Sequence, residues 1–264
     1  ITSKLSSFFS QTLFICTFTA RNSKTTPRGR IPRFPHGRSL YEIPPSGRSI
    51  VQLHSSTTSM IVKVCGMRDP DNIRQTETAG ADWIGFICYH KSPRYVSHTP
   101  AYLPQKAKRV GVFVNAPFDE LIRRAKELQL DYVQLHGNES PALCQSLYNE
   151  GLGIIKVFAV HSLSDFKQTE AYESCCDYYL FDTPCPQYGG SGKQFDWSLL
   201  SHYQGSIPFL LSGGLRPDSL TALSHFRHSQ WAGIDLNSGF EIQPAMKDTT
   251  LLQNFISQFK QNIP

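Results

Sequence analysis

The chain has 264 residues, of which 40% are hydrophobic and 18% charged, the composition of an ordinary globular protein long enough for one complete barrel or two small domains. Its formal net charge of +5 is unevenly distributed, because residues 1–59 hold eight of the 26 Lys and Arg residues but one of the 21 Asp and Glu residues. Residues 60–264 therefore carry 18 basic and 20 acidic residues, a net charge of −2, which indicates no basic surface for nucleic acid.

Residues 1–59 are rich in Ser, Thr, Arg and Pro, and they show no sustained helical or strand period beyond the apolar stretch at 13–18. We predict that they form a disordered or non-native extension outside the folded domain, which we place at residues 60–264. Three explanations are open: an organellar transit peptide, a signal peptide with 5–20 as its apolar region, or translation from upstream of the true start. The last is favoured because Met60, the first methionine, directly precedes the first predicted strand.

The seven cysteines favour a reducing compartment. Their number is odd, the adjacent pair Cys175 and Cys176 cannot bridge easily without strain, and no spacing matches a zinc site. We therefore expect reduced thiols, a cytoplasmic location and no metal ligands. No apolar run approaches the roughly 20 residues that cross a bilayer, so no membrane partner is expected.

From Met60 onward, short apolar runs alternate with amphipathic stretches. The amphipathic stretches predict helices, for example at 71–79, 118–128, 141–150, 218–223 and 249–260. The apolar runs predict strands at 61–65, 83–88, 109–114, 132–135, 153–158, 178–181, 208–211 and 232–235. Eight strands in about 200 residues are typical of a single (β/α)8 TIM barrel, whereas a doubly wound open sheet needs five or six such units. We predict the α/β barrel.

Small-residue loops follow the last two predicted strands. Ser212-Gly213-Gly214 comes after the seventh strand and Asn237-Ser238-Gly239 after the eighth. One Gly-Gly sequence alone is usually a turn. Two such loops at these positions of a barrel favour a phosphate site, because glycine backbone lets amide groups approach an anion closely.

Two residues at strand ends are candidates for acid–base chemistry. Cys65 ends the first strand before Gly66, which permits a sharp turn. It can act as a base or nucleophile if its thiolate is stabilised, although an arbitrary cysteine is more often a buried structural residue. Asp182 ends the sixth strand. It either caps the following turn or, in a partly desolvated site that raises its pKa, acts as a general acid.

Further polar residues fall near strand ends. Arg94, after the second strand, can hold a carboxylate bidentately or lie solvated in its loop. His136, after the fourth strand, is either a packed histidine or a polar group near the substrate. Lys63 and Asp235 either form an ion pair inside the barrel or contact a ligand. The glycine-rich residues 188–193 are either a lid or a flexible connection.

Taken together, these residues closely resemble the phosphoribosylanthranilate isomerase family of tryptophan biosynthesis. The matching segments follow one another over nearly all of residues 60–264, and as a set they are highly specific. They are 63–66 (KVCG), 79–82 (AGAD), 85–86 (GF), 92–96 (SPRYV), 111–114 (GVFV), 133–137 (VQLHG), 181–183 (FDT), 189–197 (GGSGKQFDW), 212–214 (SGG) and 233–239 (GIDLNSG).

The resemblance implies an Amadori rearrangement of N-(5′-phosphoribosyl)anthranilate to 1-(2-carboxyphenylamino)-1-deoxyribulose 5-phosphate, without a metal or cofactor. Cys65 is then the general base and Asp182 the general acid. Arg94 binds the anthranilate carboxylate, and Asp235 binds a sugar hydroxyl or the reacting region. His136 is a further substrate-binding residue whose exact role is open. The phosphate-binding residues implied are Gly213, Gly214, Asn237, Ser238 and Gly239. The expected partner is this phosphosugar alone, and the chain is a monomer or a homodimer.

The family pattern is not matched everywhere. Many members carry Ser-Ser-Gly where this chain has Asn237-Ser238-Gly239, which leaves the role of the Asn237 side chain open. Two alternatives to the isomerase are also open. An indole-3-glycerol-phosphate synthase would call for inward lysine and glutamate at several strand ends, and a non-catalytic phosphosugar-binding barrel has no need of both Cys65 and Asp182.

Overall fold

The computed structural model describes residues 59–182 and 197–263. Residues 1–58 of the predicted extension and the glycine-rich loop at 188–193 lie outside the described residues, as do Cys16 and Cys185. The extension and the lid therefore stay predictions. No helix within the two described ranges is long and apolar enough to cross a membrane.

Eight parallel strands close into a barrel, in which each strand pairs with its neighbours along the chain and β1 pairs with β8. This confirms the predicted (β/α)8 TIM barrel over a doubly wound open sheet. Each predicted strand is present, with its ends moved by at most one residue. The strands are β1 (Ile61–Val64), β2 (Trp83–Ile87), β3 (Lys108–Phe113), β4 (Tyr132–Leu135), β5 (Gly153–Ala159), β6 (Tyr178–Asp182), β7 (Phe209–Leu211) and β8 (Trp231–Leu236).

The predicted helices are present, with one change. The helix predicted at 218–223 begins as a 3-10 turn, Pro217–Ser219, and continues as a short α-helix. Side-chain caps fix where three helices begin, because Asp69, Ser140 and Asp248 each accept a hydrogen bond from an amide in the first turn that follows. The α-helices are α1 (Pro70–Thr78), α2 (Phe118–Leu128), α3 (Pro141–Asn149), α4 (Leu220–His225) and α5 (Thr249–Asn262).

Four further elements are absent from the sequence prediction. Three are 3-10 helices, Leu163–Tyr172 after β5, Trp197–His202 after β6 and Ser238–Phe240 after β8. The fourth is a hairpin of β9 (Glu241–Gln243) and β10 (Met246–Lys247), which follows Ser238–Phe240. These segments are short or lack a clear apolar period, so a periodicity argument has little to detect in them.

The interior of the barrel near the beginnings of the strands is apolar. Trp83 stacks on Tyr132 with ring centroids 4.7 Å apart, and the ring of Tyr178 meets Trp83 edge-on at 5.1 Å. Aliphatic residues complete this layer. We call the whole layer, aromatic and aliphatic residues together, the floor of the barrel: Trp83, Val110, Tyr132, Ile155, Val157, Tyr178, Leu180 and Leu210. A second, larger core contains the residues of the opposite strand faces together with the helices.

Candidate active site

Strand alternation carries the predicted site residues to the open end of the barrel. Side chains two residues apart lie on the same face of a strand. His136 therefore shares its face with Tyr132 of the floor, and Asp182 shares its face with Tyr178 and Leu180. We call the residues at this end, Cys65, Arg94, His136, Asp182 and Asp235, the mouth of the barrel.

Cys65 is held in a narrow space just beyond β1. Its amide donates to the Leu236 carbonyl at 2.8 Å, and Gly66 follows in the left-handed region with φ 78°. Gly85 on β2 makes room for the thiol, because a Cβ there would lie 2.8 Å from Sγ. Burial raises the pKa of Cys65, although the Lys63 ammonium lowers it in part. At neutral pH the free protein therefore holds this residue mainly as the thiol.

Lys63 and Asp235 form a buried ion pair across the β1–β8 junction. The two residues are partners in the strand register, and Nζ lies 2.8 Å from Oδ1. Burial lowers the pKa of Lys63, but Asp235 and Cys65 together outweigh burial and the net pKa is raised. Burial raises the pKa of Asp235 despite Lys63, and the charge of Asp182 adds to that rise. The structure thus shows the predicted ion pair, and a ligand contact of Asp235 stays a prediction.

His136 and Asp182 face each other from β4 and β6. Their Nε2 and Oδ2 atoms are 3.5 Å apart, and each side chain is about one-fifth exposed at 20% and 17%. The His136 amide donates to the Phe113 carbonyl at 2.8 Å, which fixes the start of its loop. Both residues influence the pKa of Asp235. The predicted acid, the histidine and Asp235 therefore share one environment.

The two small-residue loops offer unused amide groups. Gly213 and Gly214 are both left-handed, with φ 87° and 70°. A Cβ at Gly239 would lie 2.1 Å from the Leu215 carbonyl oxygen, so the loops after β7 and β8 pack together only with glycine there. Within the described part of the chain, the amides of Gly213, Gly214, Ser238 and Gly239 donate to no protein acceptor. Such convergent free N–H groups can bind a phosphate.

Arg94 is paired in a way that the sequence did not predict. Glu241 of β9 accepts hydrogen bonds from Nε at 2.8 Å and from Nη2 at 2.6 Å. Arg94 also lies beside Gly66, where a Cβ would be 2.7 Å from the arginine Cδ. The guanidinium is therefore at the mouth near Cys65, and it is not the solvated loop residue of the alternative interpretation.

Two buried lysines near the mouth also escaped the sequence analysis. Lys247 donates to Glu241 at 2.6 Å and to the Asn237 side chain at 2.9 Å. Lys156 on β5 binds the Gly137 carbonyl at 2.7 Å and the Glu139 carboxylate at 3.3 Å, which supports the loop after His136. Lys156 interrupts the apolar run of β5, and this interruption was the available signal.

One group of residues in the described ranges could hold a metal ion. The sulfurs of Cys144, Cys175 and Cys176 all lie within 4.8 Å of one another, and all three residues are buried. None of them belongs to the mouth.

The chain is similar to one family of known proteins. A model of the N-(5′-phosphoribosyl)anthranilate isomerase family matches residues 62–258. The isomerase of Phocaeicola vulgatus is 56% identical over 204 residues, which cover 77% of this chain and all of the relative. The isomerase of Parabacteroides distasonis is 52% identical over 207 residues, which cover 75% of this chain and 93% of the relative.

Solved structures agree with this comparison. Phosphoribosylanthranilate isomerase from Thermotoga maritima superposes with a TM-score of 0.67 at 34% identity, over 76% of this chain and 99% of the other. A second such isomerase, solved with reduced 1-(o-carboxyphenylamino)-1-deoxyribulose 5-phosphate, superposes with a TM-score of 0.65 at 31% identity, over 76% and 99% of the two chains.

Proposed function

The chain belongs to the N-(5′-phosphoribosyl)anthranilate isomerase family, and from that premise we propose that Cys65 is its general base and Asp182 its general acid. As a member of this family the chain is an isomerase of tryptophan biosynthesis. The proposal concerns how its own residues carry out the Amadori rearrangement. The observation that carries it is that β1, β6, β7 and β8 of one closed parallel barrel end at the same rim, where they present Cys65, Asp182 and two loops with free amides.

The reaction needs one proton donated and one removed. Asp182 gives its proton to the furanose ring oxygen, and the C1′–O bond breaks as the anthranilate nitrogen lone pair forms a C1′=N bond. Cys65 as the thiolate then takes the proton from C2′. The C2′–H electron pair forms the C1′=C2′ bond while the C1′=N π pair returns to nitrogen, which gives the enolamine. Tautomerisation of the enolamine gives the ketone product. The substrate itself supplies both the electron source and the electron sink.

The remaining mouth residues bind the substrate. The Arg94 guanidinium holds the anthranilate carboxylate, a charge-assisted contact. The free amides of Gly213, Gly214, Ser238 and Gly239 hold the phosphate, with Asn237 in the same loop. Asp235 and His136 lie beside the sugar. In this arrangement the carboxylate and phosphate occupy opposite ends of the ligand.

The test separates the two catalytic roles. Cys65→Ser keeps a hydroxyl of similar shape that ionises far too weakly to act as a base, and Asp182→Asn keeps the shape without the acidic proton. Each variant should lose about 10²–10⁴-fold in turnover while still binding substrate. With deuterium at C2′, the primary isotope effect should be larger in Cys65→Ser than in Asp182→Asn, because proton removal from carbon limits only the former.

Several results would contradict this assignment. Near-wild-type turnover in either variant would mean that the substituted residue is not the proposed base or acid. The reverse isotope pattern would contradict the division of roles between Cys65 and Asp182. Wild-type chain that binds the substrate without turnover would favour the non-catalytic phosphosugar-binding barrel.

A cytoplasmic location belongs to the same proposal. It is supported by the described cysteines, Cys65, Cys88, Cys144, Cys175 and Cys176, which are all free thiols.

A further inference from the structure

We propose that Glu241, backed by Lys247, is a positioning residue that presents one edge of Arg94 to the carboxylate of the substrate. The inference rests on the proposed role of Arg94 and adds the residues that make that role possible. Neither Glu241 nor Lys247 contacts the reacting atoms in this proposal. They act through the orientation and the charge of Arg94.

The geometry of the pair decides which edge is free. Glu241 takes the Nε–Nη2 edge of the guanidinium, with a third contact from Nε to Oε2 at 3.1 Å. The two side chains are 15% and 5% exposed, so the pair is held in a mostly closed environment. Within the described residues Nη1 donates to no protein acceptor. The Nη1–Nη2 edge is therefore the one left for a planar carboxylate.

The charge balance needs a second cation. Glu241 alone would neutralise Arg94 and weaken its attraction for an anion. Lys247 is completely buried, and its Nζ lies 2.6 Å from Glu241 Oε1. One carboxylate thus accepts hydrogen bonds from two basic side chains. Burial lowers the pKa of Lys247, and when Lys247 is protonated the three residues carry a net charge of +1. Arg94 is therefore fixed by the Glu241 carboxylate and still attracts the carboxylate of the substrate.

Lys247 is itself held from two sides. The Asn72 side chain of α1 accepts from the Lys247 amide at 2.8 Å and donates to its carbonyl at 2.9 Å. The Asn237 side chain accepts a hydrogen bond from Nζ at 2.9 Å. This gives Asn237 a role that a serine hydroxyl, one atom shorter, would fill less directly. The hairpin of β9 and β10 is therefore anchored on α1 and on the loop after β8.

Binding of two stable ligands tests the proposal without turnover. One is reduced 1-(o-carboxyphenylamino)-1-deoxyribulose 5-phosphate, and the other is the same compound without the carboxylate. By calorimetry, Glu241→Gln should weaken binding of the first about tenfold, because Arg94 is no longer held with its Nη1–Nη2 edge toward the carboxylate, and leave the second within about twofold. Arg94→Ala should show the same selectivity, and the double variant should bind the first no more weakly than Arg94→Ala alone.

Controls separate positioning from a structural role. Glu241→Asp keeps the charge and should recover part of the affinity for the carboxylated ligand. Glu127→Gln removes a surface carboxylate paired with Arg123 and Arg124, and it should change neither affinity. In turnover, Glu241→Gln should raise KM more than it lowers kcat. Equal weakening of both ligands would mean that Glu241 only supports the fold, and the proposal would be wrong.

The outcomes also distinguish this proposal from the one on which it rests. If Arg94→Ala binds both ligands as wild type does, the carboxylate role of Arg94 is wrong and this inference is lost with it. If Arg94→Ala loses selectivity but Glu241→Gln does not, the role of Arg94 stands and the positioning role of Glu241 is wrong.

A separate cluster carries a second inference: the geometry points to a soft-metal site formed by Cys144, Cys175 and Cys176. Cys144 comes from α3, while Cys175 and Cys176 follow a 3-10 helix, so two separate segments bring the sulfurs together. A metal–sulfur bond of about 2.3 Å places the sulfurs of one ion roughly 4 Å apart. The observed sulfurs, all within 4.8 Å, need little movement to reach that spacing.

The ligand set indicates the ion. The described residues provide three sulfurs and no fourth ligand in the cluster, and thiolates select soft ions, so we assign the site to Cu(I) in three-fold coordination. On binding, the three thiols lose their protons to solvent and form three Cu–S bonds. No redox step is involved.

Competition against a chromophoric Cu(I) chelator under anaerobic conditions tests the site. Wild type should withdraw one Cu(I) from the chelator. The Cys144→Ser and Cys176→Ser variants should withdraw none, or bind it at least about tenfold more weakly. Cys88→Ser removes another buried thiol outside the cluster and should behave as wild type. The same stoichiometry and affinity in wild type and Cys144→Ser would mean that the three thiols only fill space in the core.

Discussion

The floor and the mouth of the barrel are built by the same strands and yet hold opposite kinds of residue. On the floor, Trp83, Tyr132 and Tyr178 pack ring against ring. At the mouth, the inward positions carry ionisable groups. The change occurs within a single step along β6, where the inward Leu180 is followed by the inward Asp182.

This contrast shows how one fold separates stability from chemistry. Burial of apolar side chains on the floor stabilises the barrel without directional requirements. Charged groups at the mouth must be desolvated, and their loss of hydration is offset only by specific partners, as Lys63 and Asp235 show at 2.8 Å. Substitutions on the floor should therefore change stability, and substitutions at the mouth should change activity or its dependence on pH.

The ion pair lies at the boundary between the two regions, and breaking it should have the largest effect on stability. Lys63→Met leaves the Asp235 carboxylate buried without its partner, and we expect a loss of about 3–5 kcal/mol in the free energy of unfolding. Chemical denaturation followed by circular dichroism measures it.

The double variant Lys63→Met/Asp235→Leu is the informative control. It removes both charges and should recover most of the lost stability, because an apolar pair of similar volume replaces the ion pair. Activity should stay low, since Asp235 is at the mouth. If the single variant is as stable as wild type, the pair is not buried as described.

A floor substitution should give the reverse result. Leu180→Ala removes a fully buried side chain and should lower the free energy of unfolding by about 2–5 kcal/mol. At a temperature where the variant is fully folded, its kcat/KM should stay close to that of wild type. A loss of kcat/KM as large as that of Asp182→Asn would show that floor and mouth are not separable.

Most of the fold could be predicted from the sequence. The strands alternate with helices, their apolar runs fix their ends, and caps such as Asp69 with the following proline fix helix starts. The three 3-10 helices Leu163–Tyr172, Trp197–His202 and Ser238–Phe240 and the hairpin of β9 and β10 could not be predicted in this way, because segments of two to ten residues without an apolar period give no periodic signal.

The site was predictable where a strand end or a glycine loop marks a residue. Cys65 and Asp182 end strands, and Gly213 and Gly214 need left-handed backbone. Glu241 was not predictable, because its pairing with Arg94 joins residues 147 positions apart. That contact depends on the path of the chain after β8, which no local pattern encodes.

Steric crowding of Cys65 by a side chain at Gly85 should have an effect of intermediate size on stability. A Cβ at Gly85 would lie 2.8 Å from the Cys65 sulfur and 3.1 Å from its Cα, so the backbone of Cys65 would have to move. Gly85→Ala should lower the free energy of unfolding by about 1–3 kcal/mol, as overpacking does. It should also lower kcat, because the displaced thiol is the proposed base. Thermal unfolding and steady-state kinetics on one sample measure both, and unchanged kcat would place the thiol outside the reaction.

The smallest expected effect is the stability cost of Glu241→Gln. It should depend on pH, whereas the cost of a floor substitution should not. Burial works against ionisation of Glu241, but the hydrogen bonds from Arg94 and the charge of Lys247 prevail, and its pKa is lowered below the ordinary 4.5. A carboxyl group whose pKa is lower when folded stabilises the fold above its unfolded pKa and loses that contribution as the pH falls through its folded pKa.

At pH 7 we expect Glu241→Gln to lower the free energy of unfolding by about 1 kcal/mol, the difference between charged and neutral hydrogen bonds. In denaturant titrations this difference from wild type should begin to shrink below about pH 4.5 and vanish in stronger acid, because protonated Glu241 then resembles glutamine. The cost of Leu180→Ala should stay constant over the same pH range, since no charge is involved on the floor. A pH-independent cost for Glu241→Gln would mean that this carboxyl group has the same pKa in the folded and unfolded chain.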